Sequence, residues 1–230
     1  MIISTGKSIK VAESRMTKIA VLKTHIINYA KTREVYTAYR KTGYSKAFLE
    51  AHREENTLHK AAKGDFNSWL NAGEWYELDA LKNINAFSQE EPFDLTYGGL
   101  HYINPNGTVT NKMSKNDEHG IVTSRHWNHP SMFLSTELYK QNGFDETFPA
   151  YADFNLYLKM RKQGVKIRVI DKVITNFVAD GVSTNTNMKK VLGRAKEKYK
   201  AYRGNGYSVL YWFESYGWEV FKAIYFSIRS

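Results

Sequence analysis

The sequence predicts an α/β domain built on a mixed β-sheet flanked by helices. Three observations between Gly64 and Asp180 predict it. Short β-branched and aromatic runs alternate there with stretches of helical apolar spacing, the pattern of an α/β layer. All four prolines (Pro92, Pro105, Pro130 and Pro149) fall in this interval with most of the turn signals. Two of the runs, Val165–Ile170 and Val173–Phe177, are rich in the β-branched residues that suit a pleated surface.

Taken in order, residues 1–63 hold no proline, no aspartate and two glycines, Gly6 and Gly43. Apolar residues at Ile19, Val21, Leu22, Ile26 and Ile27, and at Ala47, Phe48 and Leu49, predict mostly helix, with short strands around Lys18–Leu22 and His25–Tyr29 as the alternative. Asp65–Leu70 predicts a short buried strand, followed by the polar loop Asn71-Ala72-Gly73-Glu74. Leu78, Leu81, Ile84 and Phe87 place a helix over Glu77–Phe87. Asp94–Tyr102 reads as a strand, and Asn104-Pro105-Asn106-Gly107 turns it into a hairpin, because proline presets one φ and Asn-Gly accepts positive φ.

Ser131–Asn142 predicts a strand running into a helix that Gly143 caps. Asp153–Gln163 predicts an amphipathic helix ended by Gly164. Beyond Ser183 the chain becomes helical and basic over Met188–Arg203, breaks at Gly204-Asn205-Gly206, and closes with the aromatic tail Tyr207–Ser230. The expected organisation is one domain over residues 1–185, with 1–58 atypical, and a helical C-terminal appendage over 186–230.

Composition narrows the function. The chain has 230 residues and a net charge of +10, unevenly spread. Residues 1–63 carry 13 basic against 5 acidic side chains, residues 64–180 carry 11 against 15, and residues 181–230 carry 9 against 3. Basic ends suit an anionic surface, with solvated helix faces as the plain alternative. No cysteine is present, which excludes disulfides and thiolate metal sites. No run reaches the roughly 20 apolar residues of a membrane span, so a cytoplasmic setting is expected.

Several residues are suited to chemistry. Asn71, Gly73 and Glu74 follow a buried strand, where α/β sheets bind ligands. An amide oxygen, a carboxylate and a closely approaching backbone suit Mg²⁺ or Mn²⁺ shared with a diphosphate. A polar turn with a solvated glutamate explains the same letters. Asp153 opens a helix, where it serves either as N-cap or as a general base. In Arg125-His126-Trp127-Asn128-His129-Pro130-Ser131, the histidines suit metal, a sugar hydroxyl or a structural role, and Trp127 suits stacking on a sugar face. Thr5-Gly6-Lys7-Ser8 lacks the upstream glycine of a phosphate loop, and neither HExxH nor GxSxG occurs.

Residues from about Lys60 to Asn185 resemble the later part of a family 2 glycosyltransferase of the GT-A fold. Three stretches carry the resemblance. Lys60-Ala61-Ala62-Lys63-Gly64-Asp65-Phe66 through Leu70-Asn71-Ala72-Gly73-Glu74 is similar to the family's A-x-G-[DE]…L-N-[AS]-[DG]-D segment. His129-Pro130-Ser131-Met132-Phe133, Glu137-Leu138-Tyr139 and Gly143-Phe144-Asp145-Glu146 are similar to its acceptor-side block. Tyr151-Ala152-Asp153-Phe154-Asn155-Leu156-Tyr157-Leu158, then Asp180-Gly181-Val182-Ser183, is similar to A-D-[YF]-[DN]-L-x-L…G-[GV]-[IV]-S.

The resemblance implies an inverting transferase that moves a sugar from a nucleotide-sugar donor to a glycan or lipid-linked acceptor, in surface polysaccharide synthesis. Asp153 matches the catalytic base. Glu74 matches the metal-binding aspartate of the DxD-like motif, so Mg²⁺ or Mn²⁺ is the implied cofactor. Trp127, His129, Ser131 and Tyr151 fall on the substrate side. The family's "[DE]-x-x-S-x-D-x-T"-like nucleotide-gripping stretch has no counterpart in residues 1–58. A diverged donor half, a replacement that leaves a non-catalytic glycan- or protein-binding module, and a mis-framed reading all account for that. The basic ends and the aromatic tail imply a peripheral membrane contact, with packing of the tail on its own core or a partner as the alternative. No nucleic-acid partner is expected.

Overall fold

The computed structural model describes residues 19–21, 64–70, 74–104, 107–116, 120–178 and 187–229, with the backbone alone of 19–21 and 225–229. Among them lie seven strands and five α-helices. The strands are β1 (Ile19–Val21), β2 (Phe66–Ser68), β3 (Trp75–Tyr76), β4 (Leu95–Ile103), β5 (Val109–Lys112), β6 (Phe133–Ser135) and β7 (Ile167–Val178). The helices are α1 (Ala80–Glu90), α2 (Thr136–Asn142), α3 (Ala152–Lys162), α4 (Met188–Gly204) and α5 (Trp218–Arg229). The expected loop residues Asn71 and Gly73, the tip residues Pro105 and Asn106, the Asp180–Ser183 motif, and the helical reading of residues 1–63 apart from 19–21 lie outside the described residues.

The sheet is mixed, in the order β1-β2-β6-β4-β7-β3, with β5 paired to the far half of β4. β1–β2 and β4–β7 are parallel, whereas β2–β6, β4–β6 and β3–β7 are antiparallel. Helices cover both faces, because neighbouring strand residues point to opposite sides. Phe133 joins Phe66, Phe93, Ile170 and Ile174 beneath α1, while its neighbour Leu134 joins the larger core of Leu95, Tyr97, Trp127, Phe154 and Tyr202. The α/β class and its mixed sheet flanked by helices are as the sequence predicts.

The hairpin forms with Gly107 at φ 81°, and Asn104 and Thr108 close it through an N–H···O bond of 2.8 Å. Gly143 and Gly164 end α2 and the α3 turn at φ 59° and 70°. The two predicted strands Val165–Ile170 and Val173–Phe177 are one strand, β7, whose register against β4 shifts around Gly98 and Gly99. That bulge absorbs the residues read as a break. Glycine is required at Gly98, since a Cβ there would lie 2.7 Å from both Ile174 Cγ1 and the Lys172 carbonyl.

Two expectations are corrected. Leu78 precedes α1 and is fully exposed, because the helix begins at Ala80 and buries Ala80 and Ile84. α3 is not amphipathic: Phe154, Leu156, Tyr157, Leu158 and Met160 are all buried, since the helix is enclosed between the sheet and α4. The expected C-terminal helices are present as α4 and α5, and α4 packs on α3. Ala201, Tyr202 and Tyr207 belong to the same core as α3, and the Tyr202 hydroxyl donates to the Val122 carbonyl at 2.7 Å.

Candidate functional site: the His129–Asp153 centre

His129 opens the short 3₁₀ turn His129–Ser131, and Pro130 suits its second position, where the missing N–H costs no hydrogen bond. The sheet holds the turn from two directions. Thr175 of β7 donates to the Pro130 carbonyl at 2.8 Å. The Ser131 hydroxyl accepts the Gly98 N–H at 3.0 Å and lies 2.8 Å from both the Gly98 and Asn128 carbonyls. It thereby satisfies the backbone that the bulge takes out of the strand ladder. Asn128 adds an amide nitrogen 3.2 Å from the Gly98 carbonyl, 3.1 Å from the Lys112 carbonyl and 2.8 Å from Ser114 Oγ. The imidazole lies between two indoles, with Trp69 at 5.0 Å and Trp127 at 5.7 Å between ring centroids.

Asp153 stands in the first turn of α3. The residue at the N-cap is Tyr151, and it makes no side-chain cap, so the capping role the sequence offered for Asp153 does not apply. Asp153 Oδ1 accepts the Phe154 N–H at 2.6 Å, and Oδ2 lies 3.1 Å from His129 Nδ1. The Asp153 side chain is 26% exposed and that of His129 14%, so the pair sits at a partly open edge of the core.

The other predicted residues fall differently. Trp127 is 5% exposed and stacks on Tyr157 at 5.0 Å and 17°, with its Nε1–H directed to Met132 Sδ at 3.3 Å. It is a core side chain that backs His129, with no open face for a sugar. Ser131 is wholly buried and its hydrogen bonds are internal, so it staples the turn to β4 and offers nothing to a substrate. Tyr151 is drawn inward, and its hydroxyl donates to Glu219 Oε1 at 2.9 Å. Burial, reinforced by Glu219, pushes that phenol well above its usual range and keeps the proton on the donor.

Glu74 is half-buried and immediately precedes β3. Its strand is linked to the centre through Tyr76, whose hydroxyl donates to Ser68 Oγ at 2.5 Å; Ser68 donates in turn to the Met132 carbonyl at 2.5 Å, just beyond the His129 turn. Among the described residues no group of three or more His, Asp and Glu side chains converges as a cation site. A Mg²⁺ or Mn²⁺ shared with a diphosphate takes only one or two carboxylates from the protein, and Glu74 would be the residue to supply one.

The sequence reading passed over residues that build the site from behind. Glu197 of α4 accepts the backbone N–H groups of Ala150 at 2.6 Å and Tyr151 at 2.8 Å. Glu219 of α5 receives Arg194 Nε at 2.9 Å and Lys222 Nζ at 2.8 Å besides Tyr151. Lys198 pairs with Glu214 at 3.0 Å, and Glu214 also accepts from Thr123 and Arg125. Arg194 and Lys198 are buried, which corrects the reading of the basic helix as a solvated or membrane-facing surface at those two positions. The available signal was spacing: Arg194 and Lys198 share the α4 face of Val191, Ala195, Ala201 and Tyr202, and cations there require buried partners. Burial alone would raise the Glu219 carboxyl, but Lys222 and Arg194 outweigh it and hold it below the usual range. Glu197 moves the other way, raised by burial against the two N–H groups that oppose it.

No protein-family model matches the chain. No curated protein gives a significant match. Solved structures of S. aureus TarS do match. The crystal structure of TarS aligns at 18% identity over 66% of this chain and 26% of that one, with a TM-score of 0.45. TarS 1-349 aligns at 16% over 87% and 60%, with a TM-score of 0.44. The same fragment in complex with UDP-GlcNAc aligns at 18% over 74% and 52%, with a TM-score of 0.43. The chain thus spans less than two thirds of the length of each.

Proposed function

We propose that the chain is an inverting glycosyltransferase in which Asp153 is the general base. The observation that supports it most directly is the 3.1 Å approach of His129 Nδ1 to Asp153 Oδ2 at a partly open edge. These residues come from two separate stretches of the family 2 resemblance, and folding sets them side by side.

In this reading Asp153 takes the proton of an acceptor hydroxyl as its oxygen attacks the anomeric carbon of a nucleotide sugar. The new C–O bond forms on the face opposite the bond that breaks, and the nucleoside diphosphate leaves with the electron pair. His129 and the Phe154 N–H each hold one carboxylate oxygen, which fixes the direction from which the acceptor must come. Glu74 stands at the metal position of the family pattern and is proposed to face the diphosphate. The acceptor is proposed to be a glycan or lipid-linked hydroxyl. Exposed Leu210, Trp212 and Phe213, with Phe221 and Ile224 of α5, are proposed to rest on a membrane surface. Among the described residues no helix is long and apolar enough to cross a membrane.

The test is calorimetric titration with UDP and GDP, with and without Mn²⁺, beside Glu74→Ala and Asp153→Asn. Metal-dependent binding that Glu74→Ala loses and Asp153→Asn keeps is expected, followed by transfer that Asp153→Asn abolishes. Failure of either nucleotide to bind in any condition overturns the enzyme reading and favours a module without a donor site.

A further inference from the structure

The two halves of the candidate centre are anchored independently. His129 is fixed by the sheet, through Thr175 on Pro130 and through Ser131 on the Gly98 bulge. Asp153 is fixed by the start of α3, and that start is held by the C-terminal helices. Glu197 Oε1 accepts both N–H groups that enter the helix, from Ala150 at 2.6 Å and Tyr151 at 2.8 Å. The Tyr151 ring then reaches back, and its hydroxyl donates to Glu219 at 2.9 Å. Arg194 and Lys222 fill the rest of the Glu219 carboxylate, so it has no freedom to follow a moving tyrosine. At the other side of the helix, Asn205 Nδ2 donates to Asn155 Oδ1 at 2.8 Å.

We propose that Glu197 and Glu219 are positioning residues for Asp153, so that the C-terminal helices set the separation of the His129–Asp153 pair. Asp153 lies two residues beyond Tyr151, within the same turn. A small rotation of that turn carries the carboxylate away from an imidazole that does not move with it. Placement to about an angstrom is what general-base catalysis requires, and losing it costs up to about 100-fold. The face of α5 turned toward the domain carries Glu219, Lys222 and the small Ala223, while Phe221 and Ile224 point outward. The inference rests on the reading of Asp153 as the base, and the experiment separates the two.

Tyr151→Phe removes one hydroxyl and leaves Glu219 with both of its cations. Four quantities are measured: kcat and donor KM for transfer, the melting temperature, and the ¹H–¹⁵N resonances of the His129 imidazole at one fixed pH. Expected are a fall of about tenfold in kcat at unchanged donor KM, a melting temperature close to that of the parent, and His129 resonances displaced toward those of Asp153→Asn. Glu197→Gln, which keeps one acceptor oxygen, is expected to show a weaker displacement in the same direction. His129 resonances and kcat that match the parent in both variants overturn the proposal, whatever happens to stability. If Asp153→Asn itself retains full transfer, the reading of Asp153 falls. If Asp153→Asn is inactive while Tyr151→Phe is unchanged, only the positioning role falls.

Discussion

His129 Nδ1 and Asp153 Oδ2 lie 3.1 Å apart, although one side chain descends from a 3₁₀ turn stapled to the sheet and the other from the first turn of a helix held by α4 and α5. The separation is therefore a property of the assembled domain, and either anchor can disturb it.

Replacement of Asp153 by Asn is expected to lower kcat by at least about 100-fold, the lower range of general-base contributions. His129→Ala is expected to cost less. Because each acts through the other, the double variant should lose little more than Asp153→Asn alone, and additive losses in a double-mutant cycle of transfer rates would show the pair to be uncoupled.

Trp127→Ala is expected to destabilise the fold by about 3–5 kcal/mol, as removal of a buried aromatic does. Trp127→Phe should keep acceptor KM near the parent value, since the ring is buried against Tyr157 and Phe154 and has no face open to a sugar. A large rise in acceptor KM with unchanged urea midpoint would restore the sugar-stacking role.

Ser131→Ala is expected to cost about 1–3 kcal/mol, because it strands the buried Gly98 N–H. The Gly98 carbonyl keeps Ser114 and Asn128. Chemical denaturation reads the cost, and hydrogen exchange at Gly98 should accelerate in the variant.

Glu219→Gln leaves Arg194 and Lys222 facing an uncharged partner, and breaking a buried pair costs roughly 3–5 kcal/mol. The folded Glu219 carboxyl lies below its ordinary value of 4.5. Its contribution is thus present above pH 4.5 and is lost as pH falls through the folded value. The gap in melting temperature between parent and variant should be constant from neutral pH down to about 4.5 and should narrow below it. Glu197, raised by burial, has the opposite sign: its ionised form opposes folding, and the opposition is relieved as pH falls through the raised value. It is common to both proteins, so the difference between the two curves isolates Glu219.

The elements that local chemistry controls were legible in the chain. Asn104 and Gly107 set the hairpin, Gly143 and Gly164 ended helices through positive φ, and the β-branched runs formed strands. Asp153 and His129 stood out by residue type and by the family pattern around them. Their partnership did not, because nothing along the chain measures the distance between a turn and a helix 24 residues later. Trp127, Ser131 and Tyr151 also stood out, but their side chains face inward, and which way a polar or aromatic group turns is decided by what packs over it.

By itself, then, the sequence determined the α/β class, the glycine-marked turns and helix ends, and the residues able to carry proton-transfer chemistry, since these follow from backbone sterics and side-chain type. Only the tertiary structure decided that β7 is continuous through the Gly98 bulge, that α4 buries Arg194 and Lys198, and that Glu197 and Glu219 reach the start of α3. Those outcomes depend on desolvation. A buried charge is tolerated only where a partner waits, and apart from Lys222, three residues from Glu219, the partners here lie 16 to 68 residues away along the chain.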